Sequence, residues 1–122
     1  MLDKFDVETY KNQPEIIRQT LQQVQKDFGM FGFEVLFSGN AEADYKEMLV
    51  QLSDYVAVFM ENDCHQFTAL LYHIDIGEGK IKQALEQNSE QSMADVITEL
   101  VMHRELKKVL TRNYFKQEGM QV

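Results

Sequence analysis

DYKEMLVQLSDYVAVFMENDCHQFTALLYHIDI, residues 44–76, is the stretch whose reading decides the fold. In its first half Tyr45, Met48, Leu49, Leu52, Tyr55, Val56, Phe59 and Met60 recur at spacings of three and four. At about 100° per residue these side chains fall on one stripe, with Lys46, Glu47, Gln51, Asp54 and Glu61 off it. Phe67, Leu70, Leu71 and Ile74 repeat the pattern in the second half, and Asn62-Asp63 breaks the chain between them. The spacing predicts two consecutive amphipathic helices. They offer the broadest apolar surface in the chain, so the other segments are expected to pack against them.

On the amino side, Asn12 with Glu15 three residues later has the form of a capping box, and Pro14 suits a first helical turn because its missing N–H would be unpaired there. Ile17, Leu21, Val24 and Phe28 make a narrow stripe, and Gly29 is expected to end this helix in the left-handed conformation. Residues 1–11 have no clean period, and Phe5 and Val7 suggest a short extended arm. From Met30 the period changes. Phe31, Phe33, Val35 and Phe37 alternate with Gly32, Glu34 and Leu36, which is strand spacing, before Ser38-Gly39-Asn40 turns the chain. A lone strand leaves backbone donors and acceptors unpaired. The arm around Phe5 to Val7 or the same segment of a second subunit would serve as its partner. The preferred reading is a loop or short hairpin, an aromatic segment that plugs the end of the helical core.

The second helix is expected from near Asp44 to Glu61. Asp63 with Gln66, and Asp75 with Glu78, read as caps of the third and fourth helices, the fourth carrying Ile81, Ala84 and Leu85 and fading at Gln87-Asn88-Ser89. The last helix runs from Glu90 or Met93 to about Tyr114. Its first half is apolar along Met93, Val96, Ile97, Leu100 and Val101, a face continued by His103, Arg104, Lys107 and Lys108. Met102, Leu106, Val109 and Leu110 lie on roughly the other side. Such a swap means either that the helix passes between two sets of neighbours or that its second half is covered by another subunit. The expected fold is mainly α, a bundle of about five helices in one domain over 1–122, with a short strand or aromatic loop at 30–37.

Charge and cysteine content narrow the setting. A net charge of −8 argues against sequence-independent nucleic-acid binding, which depends on neutralising phosphates. Residues 1–102 hold 7 Lys and Arg against 18 Asp and Glu, whereas residues 103–122 hold 5 against 2. Cations favoured at a helix C-terminus account for that asymmetry, and a small site for an acidic partner or for the acidic body of a second copy is the alternative. No apolar run reaches the roughly 20 residues of a membrane span. The amino terminus lacks the layout of a signal peptide, and Cys64 has no second cysteine to pair with. These features place the chain in the cytoplasm.

Candidate chemistry is sparse. Cys64, His65, His73 and Asp75 are close in sequence, but adjacent residues diverge on a helix and residues two apart do not face each other. Glu99 and His103 are four apart and read as an ordinary helix pair. Cys64 sits at a helix start, which lowers a thiol pKa, yet no signature of a thiol enzyme surrounds it. Neither Gly29-Met30-Phe31-Gly32 nor Gly77-Glu78-Gly79 has the surroundings of a phosphate loop. No catalytic residue, cofactor or metal is therefore assigned. Met and Phe at helical spacing read as core before they read as a ligand pocket.

At Leu70-Leu71-Tyr72-His73-Ile74-Asp75 and at residues 105–115, ELKKVLTRNYF, the chain resembles a group of small uncharacterised bacterial proteins. The resemblance implies a bacterial cytoplasmic helical protein and brings no activity or cofactor with it. The functional expectation is a non-enzymatic interaction protein, most simply a homodimer joined through Met102, Leu106, Val109 and Leu110 with Phe31, Phe33, Val35 and Phe37, and open to an unidentified protein partner. Nucleic acid and membrane are not expected partners. The alternative is a small-molecule or metal-dependent enzyme or sensor in which His73, Asp75, His103 and Arg104 converge.

Overall fold

The computed structural model describes residues 13–36 and 41–117. Among them are five helices and no strand: α1 Pro14–Gly29, α2 Ala41–Asn62, α3 Cys64–Ile74, α4 Glu78–Gln87 and α5 Met93–Gln117. The mainly α bundle expected from periodicity is the fold observed. α5 packs along both α1 and α2, α3 folds back against α2, and α4 rests chiefly on α5.

The predicted stripes make the core. Ile17, Leu21, Val24 and Phe28 of α1 meet Met48, Leu52, Val56 and Phe59 of α2, with Phe67, Leu70, Leu71 and Ile74 of α3 and Ile97, Val101 and Met102 of α5. Each such side chain taken fully from water contributes about 1.5–3 kcal/mol, so these four faces dominate the favourable side of folding.

Several boundaries differ from expectation, each for a local reason. α2 starts at Ala41, three residues before Asp44, because Ala41-Glu42-Ala43 are good helix formers and extend the helix backwards. Gly29 is the last residue of α1, but the chain leaves through Met30 in right-handed geometry, and Gly32, at φ +88°, takes the left-handed position. Asp63 caps α3 as expected, its carboxylate accepting from the Gln66 N–H at 3.1 Å. Asp75 does not cap α4. It closes α3 at φ 73° and ψ 52°, and α4 begins after Gly77. The Asp75 N–H donates to the Leu71 and Tyr72 carbonyls and the Ile76 N–H to Leu71, a Schellman closure with Ile76 and Leu71 both buried. Asn12, Phe37, the arm around Phe5 to Val7 and the 38–40 turn lie outside the described residues.

The segment 33–36 belongs to no sheet, and side chains take the place of a partner strand. Gln51 of α2 donates to the Leu36 carbonyl at 2.7 Å and accepts from the Leu36 N–H at 3.2 Å. Tyr55 donates to the Glu34 carbonyl, and Gln25 of α1 donates to that of Val35 at 2.6 Å. The aromatic rings point inward. Phe33 stacks on Tyr55 with centroids 4.7 Å apart and meets Phe59 edge-on at 4.7 Å. Val35 is buried and Phe31 half-buried. Of the interface candidates taken from the sequence, Val35 is thus part of the chain's own core, and Phe31 and Phe33 pack against that core while partly exposed.

The face swap in α5 resolves in the same direction. Thr98, Val101, Met102, Glu105, Leu106 and Val109 are all buried and form one continuous arc once Glu105 is counted as interior. Reading Glu105 as a surface residue is what divides that arc in two. Met102, Leu106 and Val109 are 1%, 0% and 0% exposed in the single chain, and Leu110 is half-buried. Of the two explanations for the swap, passage between two sets of neighbours within one chain is the one observed.

Candidate functional site

The ionisable side chains that converge do so where α1, α3 and α5 meet. Asp27 lies on the core face of α1, directly before Phe28, and is only 2% exposed; Glu105 lies on the core face of α5 and is 0% exposed. Their carboxyl groups converge on a single ammonium. Lys108, one turn beyond Glu105, places Nζ 3.3 Å from Glu105 Oε1 and 3.5 Å from Asp27 Oδ2. His73, in the last turn of α3, brings Nε2 to 3.2 Å from Asp27 Oδ1. Gln23, one turn before Asp27, donates to both Asp27 oxygens at 3.3 Å.

Two carboxyls faced by one ammonium cannot both be ionised cheaply in a buried site. Burial pushes the Glu105 carboxyl up, the facing Asp27 carboxylate pushes it further, and Lys108 only partly opposes them, so it reaches about 9. Glu105 is therefore a neutral acid at pH 7. Burial also pushes the Asp27 carboxyl up, but the protonated Glu105 that faces it, the hydrogen bonds with Gln23 and His73, and the Lys108 charge outweigh it and hold Asp27 below the ordinary aspartate range. Neither Glu105 oxygen has a hydrogen-bond partner among the described residues.

A second polar link flanks this one. Arg104 Nη2 lies 3.1 Å from Asp75 Oδ2 and its Nε donates to the Asp75 carbonyl at 3.3 Å, tying α5 to the end of α3. Of the four residues expected to converge, Asp75 and Arg104 pair with each other, whereas His73 pairs with Asp27 instead. His103 is half-buried on α5. Among the described residues no group of three or more His, Cys, Asp or Glu side chains is placed to hold a metal ion. Cys64 is a free, exposed thiol.

The Asp27–Glu105 pair is the feature that residue-by-residue reading passes over. Its signal is present: Asp27 stands in register with Thr20 and Val24, and Glu105 with Val101, Met102 and Val109. An acid inside an apolar stripe on each of two helices is the pattern of a buried pair.

Beside residues 33–36, an open groove of about 410 Å³ is lined by Gln25, Gly29, Gly32, Phe33, Glu34, Val35 and Leu36. The Val35 and Leu36 carbonyls on its wall are already engaged by Gln25 and Gln51. Among the described residues no helix is long and apolar enough to cross a membrane. Comparison with protein-family models, with curated proteins and with solved structures finds no match to this chain.

Proposed function

We propose that the protein is a non-enzymatic interaction module that acts by self-association, with the basic end of α5 of one copy seated on the acidic outer face of α2 of another. The observation that carries this reading is the complementarity of two exposed surfaces. The outer face of α2 presents Val50 and Val58, 63% and 53% exposed, among exposed Glu47, Asp54 and Glu61. The end of α5 presents exposed Arg112 and Lys116 one turn apart on the same face, with Tyr114, 57% exposed, on the other side of the helix. The two surfaces carry charge predominantly of opposite sign, which steers an encounter, and Val50 and Val58 of α2 supply the apolar part of the contact. Exchanged between two copies about a twofold axis, the contact forms twice and closes.

Burial of Asp27 and Glu105 supports the same reading, because the groups with displaced pKa values serve the interior and are not presented to a substrate. The lone exposed thiol and the absence of a spanning helix among the described residues fit a cytoplasmic setting, and the bacterial origin implied by residues 70–75 and 105–115 belongs to the same proposal.

The test is mass in solution by sedimentation equilibrium. The wild type is expected to be a dimer at micromolar concentration. Arg112→Glu with Lys116→Glu should weaken it several-fold or more, since each exposed ion pair is worth about 0.2–1 kcal/mol. Adding Asp54→Lys and Glu61→Lys to that variant should restore it. A monomeric wild type at high concentration, or the absence of rescue by charge exchange, overturns the proposal.

A further inference from the structure

We infer that Asp27, Glu105, Lys108 and His73 form a proton-dependent latch across α1, α3 and α5, closed by the one proton held on the two carboxyls and opened by its departure. The inference does not depend on self-association. It rests first on burial and count: two carboxyl groups, 2% and 0% exposed as residues, face a single lysine. A charge-balanced interior then requires one further proton on the cluster, and the wholly buried Glu105 is the carboxyl that holds it. With the proton on Glu105, a neutral acid faces Asp27 and α5 closes on α1. With that proton gone, two buried carboxylates face one ammonium away from water. The Glu105 oxygens then have Lys108 alone to satisfy them, an arrangement relieved only by admitting water between the helices.

The groups facing the pair come from each element packed on it. α1 supplies Asp27 and Gln23, α3 supplies His73, and α5 supplies Lys108, with Arg112 reaching the cluster through its 3.1 Å bond to Gln23 Oε1. Exposure grades outward along the chain of contacts. The Glu105 side chain is 0% exposed, that of Asp27 3%, and that of His73 36%. His73 is therefore the port through which solvent protons reach the carboxyls: a proton leaving Glu105 passes to Asp27 and then to His73 Nε2 or to water beside it. Opening frees Gln23 as well, and with it the Arg112 contact on the outside of α5, so the state of an interior proton is communicated to the basic surface.

The experiment is a pH titration of the intact chain by ¹³C NMR of its side-chain carboxyls, together with amide hydrogen exchange corrected for the intrinsic rate. One glutamate carboxyl should titrate near pH 9 and disappear from that region in Glu105→Gln. Protection in residues 101–109 should fall at least tenfold between pH 7 and pH 10 in the wild type and stay constant in Glu105→Gln, whose amide is neutral at every pH. Asp27→Asn removes the facing charge, so the Glu105 carboxyl should titrate at lower pH in that variant. In His73→Phe the equilibrium titration should persist while proton exchange at the carboxyls slows. Titration of every wild-type glutamate in the ordinary range overturns the latch, as does an equal loss of protection in wild type and Glu105→Gln.

Discussion

Two glycines three residues apart show how much a single backbone angle decides. Gly29 is helical with open space where a Cβ would stand, so Gly29→Ala should stabilise by roughly 0.4–1 kcal/mol by restricting the unfolded chain. Gly32 also has open space but sits at φ +88°, so Gly32→Ala should cost about 1 kcal/mol or more from backbone strain alone. Urea denaturation of the two variants should move in opposite directions; a shift of the same sign in both would mean that the turn has been assigned to the wrong residue. Sequence reading gives the left-handed turn to Gly29, whereas Gly32 takes it, because both glycines satisfy the same local rule. Leu106 illustrates the opposite limit. It is fully buried, so Leu106→Ala should cost about 2–5 kcal/mol. Leu106→Glu should unfold the chain outright, whereas a residue at a subunit interface would leave a folded monomer. Circular dichroism together with solution mass separates these outcomes.

Elements were legible where periodicity was long and illegible where polar side chains act as structure. The stripes of α1, α2 and α3 follow from spacing alone, since every third or fourth residue is apolar over several turns. The segment 33–36 has the alternation of a strand, and alternation cannot reveal that Gln51, Gln25 and Tyr55 meet its backbone in place of another strand. Gln51→Leu should therefore unlatch the loop without disturbing α2. Hydrogen exchange at Leu36 is expected to rise by roughly fivefold, in line with about 1 kcal/mol for the lost bonds, while the amides of residues 48–56 keep their protection. Uniform loss across α2 would instead mean that Gln51 supports the helix. In α5 the same blindness applies to Glu105: hydropathy counts it as surface and so breaks one arc into two. The buried pair could be found only by asking why an acid occupies a core register on two separate helices.

At the scale of the whole molecule, the two buried acids set opposite limits on stability. The Glu105 carboxyl sits at about 9 in the folded chain against an ordinary 4.5, so between those values the folded state holds a proton that the unfolded state has released. Its contribution is complete below pH 4.5 and is lost as pH rises toward 9, at up to about 1.4 kcal/mol per pH unit. The Asp27 carboxyl is held below its ordinary 3.8, so its contribution is present above that value and is lost as pH falls beneath it. Stability should therefore peak on the acid side of neutrality and decline through pH 7 to 9. A net charge of −8 produces some decline at high pH by general repulsion, and Glu105→Gln separates the two causes because it leaves the interior neutral at every pH. Near pH 5 the variant and the wild type should melt within a few degrees of each other; near pH 9 the variant should melt well above the wild type. Calorimetric melting curves that stay parallel from pH 5 to 9 would show that the decline comes from surface charge and that the buried carboxyl pair contributes nothing to it.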